Sequence, residues 1–234
     1  MIQTVKHQYS RYANTNNQWF DIDNQTTYRD NLSNKYEQLK EHNWIDKTFS
    51  YKINSHGFRS EEFTHDPSIM FLGCSFTCGI GLPLENMWAY IVSQHLGLKM
   101  ANFGIGGTGP DTAFRLAYYY ISQIKPKIVV YLEPPEGRFS VIRENDILNF
   151  TSQYHPKEFE NFYNEWIIWP ENQDIYSIKH YLAIQGLCNA NNVKLITPTR
   201  GYFKHIDLAR DLMHFGIKSN ENFSQYVLNL IGRA

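Results

Sequence analysis

Four short stretches combine residues that can do chemistry. "FLGCSFTCGIG", Phe71 to Gly81, places Ser75 two positions past Gly73, where an apolar run gives way to small and polar residues. Such a turn exposes a hydroxyl beside backbone N–H groups that have no acceptor. Serine is a poor nucleophile unless a neighbouring base takes its proton, and the same residue also suits an N-cap. "NFGIGGTGP", Asn102 to Pro110, lets backbone amides approach an anion, with the Gly107 N–H able to serve a tetrahedral oxyanion. A phosphate cradle or a plain turn are the other readings of that loop, although no Gly-Lys-Ser/Thr follows to make a P-loop. "EPPEGR" brings Glu136 and Arg138 to one rim, as site residues or as a surface ion pair. "RDLMHFG" sets Asp211 three residues before His214. A carboxylate there can fix the imidazole tautomer and stabilise the imidazolium as it forms, and a local salt bridge or a helix C-cap uses the same pair.

These residues need elements to bring them together. Ser68 to Leu72 reads as a buried strand between Pro67 and Gly73. A helix over 84–97 follows, with Leu84, Met87, Trp88, Ile91, Val92 and Leu96 on one stripe. A short strand, 100–103, leads into the glycine loop, and Ala113 to Ile121 holds helical spacing up to Lys125-Pro126. "KIVVYLE", 127–133, is a β-branched strand. A helix near 176–190, the strand "VKLITP" at 193–198 and a last helix with Ser219 as N-cap complete the order. The alternation predicts an α/β fold with a parallel sheet and helices on both faces. Sites in such sheets gather at the carboxyl ends of the strands, where all four stretches lie.

Two regions stand outside the alternation. Residues 1–50 are polar, with one short helix expected around Tyr36–Lys40, and read as an extension that wraps the core or orders on a protein partner or a second copy. Residues 139–175, inside a domain spanning 51–234, are dense in aromatic residues and read as a cap or insertion. Their rings suit a wall for a sugar or an acyl chain, or simple burial against the core.

The serine, glycine and Asp-x-x-His stretches occur in an order that resembles the SGNH (GDSL-type) hydrolases. "FLGCSFTCG" matches the nucleophile block, "NFGIGGTG" the glycine block and "DLMHFG" the acid–base block. "INSHGFRSEEF" is similar to the lead-in of some members, so the likeness spans about 51–234. The resemblance implies the form of the α/β fold: a three-layer α/β/α sandwich with a mostly parallel five-stranded sheet, of flavodoxin-like topology. It also implies a serine esterase that removes a small acyl group, such as acetyl from a carbohydrate. Ser75 would be nucleophile, His214 base and Asp211 its orienting acid, with the Ser75 and Gly107 N–H groups facing the oxyanion. Two departures stand out. Cys74 occupies a position often held by Asp. The asparagine that the family supplies after the third strand is absent, and Glu136, near that position, cannot donate a hydrogen bond when ionised. Losing one such donor costs roughly 10²–10³ in rate, so the role would fall to Arg138 or to a residue of the aromatic insertion. The alternative is a catalytically lapsed SGNH-fold module used for binding or assembly. A nucleotide binder using the glycine loop is a third reading.

Composition narrows the classes. The 234 residues carry a net charge of −1 with no basic run, so nothing advertises a nucleic-acid partner. Three cysteines, Cys74, Cys78 and Cys188, make no disulfide framework and no zinc site, and read as small buried residues. No cofactor or metal is expected. The N-terminus lacks the apolar stretch of a signal peptide, and no run approaches the about 18 apolar residues of a membrane span. A chain without membrane contact, cytoplasmic where it is made, is the expectation.

Overall fold

A computed structural model describes residues 5–143 and 147–233. The N-terminal part contributes a two-residue strand β1 (Asn16–Asn17) and two helices, α1 (Gln25–Asn34) and α2 (Tyr36–Glu41). Strand β2 (Tyr51–Lys52) pairs antiparallel with β1. The sheet begins with β3 (Ser68–Leu72) and the one-turn helix α3 (Ser75–Cys78). Then come α4 (Trp88–His95), β4 (Lys99–Asn102), α5 (Pro110–Ile124) and β5 (Ile128–Tyr131). A hairpin, β6 (Phe139–Ile142) and β7 (Ile147–Phe150), leads to α6 (Glu160–Ile167) and α7 (Pro170–Ala190). Strand β8 (Lys194–Ile196) and α8 (Ile217–Arg233) close the chain.

The central sheet runs β4-β3-β5-β8, all parallel. It has four strands among the described residues, not five. After β5, Pro134 and Pro135 withhold backbone donors, and the next extended segments pair with each other as the β6–β7 hairpin instead of adding to the sheet. Helices cover both faces, so β3 is buried on both sides and reads as a continuous apolar run. Met70 and Leu72 pack with Leu116, Tyr120 and Ile184 from α5 and α7. Ile69 and Phe71 face the other way, onto Trp88 and Val92 of α4 and Phe223 and Val227 of α8. The three cysteines are buried free thiols.

Three boundaries differ from the periodicity. The 84–97 helix divides into a 3-10 turn at Leu84–Asn86 and α4 proper. Helix α7 starts at Pro170, six residues before the expected start, with proline at its first position, where the missing N–H costs nothing. Ser219 is not an N-cap, because α8 begins at Ile217 and its first N–H groups are met by another residue. Asp207 accepts from the backbone N–H of Lys218 and Ser219 at 3.0 and 2.9 Å. No described helix is long and apolar enough to cross a membrane.

Residues 5–50 lie against the α/β core. Tyr9, Phe20, Leu39 and Trp44 are buried there. Asp23 receives both Nε (3.0 Å) and Nη2 (2.7 Å) of Arg210, each side chain 1% exposed. Arg210 is stacked between Trp19 and Phe49.

Candidate active site

Ser75 stands at the carboxyl end of β3, as the first residue of α3, with Cys74 before it in extended backbone and Gly79 closing the turn in the left-handed region. The turn is clamped from several sides. Trp88 Nε1 donates to Phe76 O at 3.0 Å, and Asn102 Nδ2 donates to Thr77 O at 3.0 Å. Arg59, from the "INSHGFRSEEF" stretch, is buried with Nη1 on Gly79 O and Nη2 on Leu82 O. Upstream, Asn54 Oδ1 accepts from the N–H groups of His56 and Phe58, a side-chain-capped turn that aims Arg59 inward. That lead-in therefore holds the loop that follows the serine.

The glycine loop packs directly on α3. A Cβ on Gly104 would come within 2.3 Å of Cys78 N, so only glycine permits the approach. Gly107 has φ +69, the left-handed conformation that glycine adopts freely. Neither the Ser75 nor the Gly107 N–H has an acceptor among the described residues. The loop is also held from the N-terminal region. Gly106 N donates to Tyr9 Oη at 2.8 Å, Tyr9 in turn donates to Asp21, and Gln8 Nε2 donates to Gly106 O at 2.6 Å.

Asp211 and His214 occupy a tight loop before α8. His214 Nδ1 is 2.5 Å from Asp211 Oδ2, and Asp211 Oδ1 accepts the backbone N–H groups of Met213 and His214, each at 3.0 Å. Burial pushes the Asp211 carboxyl up, but the His214 ring and these N–H donors outweigh it and hold the group below the usual carboxylate range. Leu212 between them has φ +56, a conformation uncommon for a branched side chain. It is maintained by outside supports: Arg210 on Asp23, Asn31 Nδ2 on Asp211 O at 3.2 Å and Trp44 Nε1 on Leu208 O at 2.7 Å. Phe76, next to Ser75, meets the His214 ring edge-on at 5.3 Å.

Ser75, Gly107, Arg138 and His214 line one cavity of about 540 Å³. Asp211 sits directly behind His214. No hydrogen bond joins Ser75 to His214 among the described residues. Arg138 is half-buried, and its Nη1 is enclosed with no partner among them. Glu136 is elsewhere. It is exposed and borders a separate hollow with Asp174, Thr199 and Arg200, so the structure does not bring it to the serine.

Other cavity residues carried no local signal. Gln8 lies in a polar tail, and Asn149 in an alternating strand whose partner is also in the hairpin. Their side chains are hydrogen-bonded to each other, and Asn149 Oδ1 accepts from Ser140 Oγ at 2.8 Å. Thr151, Gln153 and the exposed ring of Tyr154 complete that wall. Among the described residues no group of three or more His, Cys, Asp or Glu side chains is placed to hold a metal ion.

No protein-family model matches the chain, and no curated protein does. Solved structures to which it is similar include the psychrotrophic esterase EstA from Pseudoalteromonas sp. (14% identity, 72% of this chain and 98% of that one, TM-score 0.43). Others are an acetyl xylan esterase, AlAXEase (18%, 69% and 98%, TM-score 0.36), and a family two carbohydrate esterase from Clostridium thermocellum in complex with cellohexaose (15%, 72% and 65%, TM-score 0.35).

Proposed function

We propose that the chain is a serine ester hydrolase of the SGNH type, cutting small acyl esters carried by a polar leaving group such as a carbohydrate. The observation that carries this reading is the convergence of Ser75 and His214 on one cavity, with the His214 ring fixed through Nδ1 by buried Asp211. With the Nδ1 proton donated to Asp211, Nε2 carries the lone pair and is the base.

The steps follow. Ser75 Oγ attacks the ester carbonyl carbon while His214 Nε2 takes the hydroxyl proton. The carbonyl oxygen becomes an oxyanion met by the Ser75 and Gly107 N–H groups, which have no other acceptor. Arg138, which lines the same cavity, supplies the third donor in place of the missing asparagine. The C–O bond to the alcohol breaks as His214 returns its proton to that oxygen. Water then attacks the acyl-serine, giving its proton to His214, and the acid leaves as Ser75 recovers a proton. The cavity supports the substrate class: polar Gln8, Asn149 and Gln153 lie beside the exposed Tyr154 ring, a lining suited to a sugar.

Ester turnover by purified Ser75→Ala tests the assignment. A fall of about 10³-fold or more is expected, as for other triads. Unchanged turnover would remove the reading.

A further inference from the structure

A second cavity, of about 480 Å³, adjoins the first. The two share Gln8, Arg11 and Ile147 as a common wall. Lys6, Arg11, Arg115 and Arg143 all line it, with Tyr119 and Ile142, and among the described residues no carboxylate does. Among the described residues that wall gathers four cationic side chains, on a chain of net charge −1. It arises from four basic residues scattered along the sequence, which is why no basic run announces it.

The guanidinium groups have donors to spare. Arg115 is half-buried and, among the described residues, gives one hydrogen bond, from Nη1 to Lys6 O at 3.0 Å. Arg143 lies over the Phe159 ring at 5.3 Å and Arg11 over Tyr12 at 4.9 Å, and neither guanidinium gives a hydrogen bond among the described residues. None of these three arginines makes an ion pair among the described residues. Like charges gathered along one concave wall repel one another and raise the local potential, which an anion relieves.

We propose that this second cavity is a subsite for an anionic group, carboxylate, sulfate or phosphate, on the molecule whose ester is presented to Ser75. Forked guanidinium donors match such oxyanions two at a time. The substrates are then acyl esters with a negatively charged leaving group, anchored in one cavity and cut in the next. What is cut rests on the hydrolase reading; the anion subsite does not.

Titration calorimetry on the full chain separates the two. Trigalacturonate and coenzyme A serve as anionic probes and xylotriose as the neutral one. At least one anion should bind about tenfold or more tightly than xylotriose at low salt, and weaken as salt screens the charges. Trigalacturonate alone identifies an acidic glycan, and coenzyme A alone a phosphate-bearing carrier. Arg115→Gln and Arg143→Gln should each weaken the anion several-fold; Arg143 is exposed, so that variant carries the test if Arg115→Gln misfolds. Equal binding of neutral and anionic probes, or anion binding unchanged in both variants, overturns the subsite. Because no ester is cut, anion binding without ester turnover would remove the hydrolase and keep the subsite. Turnover without anion binding would do the reverse.

Discussion

The N-terminal region and the aromatic insertion invert what their compositions suggest. Residues 5–50, polar and rich in Asn and Gln, place Trp44, Tyr9 and Phe20 at under 4% exposure and seat a buried Asp23–Arg210 pair. Residues 139–175, dense in aromatics, build a small cluster of their own around Phe139, Phe150 and Tyr163, and leave Tyr154, Phe162 and Trp169 more than half exposed. Polarity costs little when each buried group finds a partner, and an aromatic ring adds little when its face stays in water. The two regions also meet at the cavity, where Gln8 of one is hydrogen-bonded to Asn149 of the other.

The contrast can be broken most sharply at Asp23. Replacing it by alanine leaves the Arg210 guanidinium buried without its carboxylate, and should cost about 3–5 kcal/mol in denaturant unfolding. Since Arg210 is the neighbour of Asp211, ester turnover should fall with it. A loss below about 1 kcal/mol would mean that the N-terminal region is only draped on the core.

Acid should strike the same region. His7 is buried, with Nδ1 accepting the Tyr9 N–H and Nε2 on His56 O, an arrangement that needs the neutral ring. Burial lowers its pKa from 6.5 to about 4. Below the unfolded value the unfolded chain binds the proton and the folded chain does not. Stability present above pH 6.5 is therefore lost as pH falls toward 4, on the order of 3 kcal/mol. Unfolding free energies measured across that window should show the slope, and His7→Gln should flatten it. An unchanged slope would place the acid sensitivity elsewhere.

The smallest effect belongs to the insertion's exposed rings. Trp169→Ala should change unfolding stability by no more than about 0.5 kcal/mol. A larger loss would show that the ring is covered in solution, and the contrast between the two regions would narrow.

The candidate site was legible where it is local. The Ser75 turn, the glycine loop and Asp-x-x-His each announce themselves within a dozen residues, and the alternating elements imply that strand ends gather them. What supports them was not legible. Arg210 and Asp23 are 187 positions apart, and no periodicity pairs them. Ser219 had the residue type of a cap, but Asp207, brought round by a loop, took the position. The cationic cavity draws on residues 6, 11, 115 and 143, which only the folded chain assembles. Glu136 and Arg138 looked equivalent in sequence, yet the turn at Gly137, φ +71, separates them onto different hollows.

The central claim is that Ser75 is an activated nucleophile. Labelling with a fluorophosphonate probe, followed by peptide mass spectrometry, asks this without a choice of substrate. The account predicts an adduct on Ser75 in the native chain and its loss in His214→Ala. A folded chain that takes no adduct, or that keeps its adduct without His214, would contradict it.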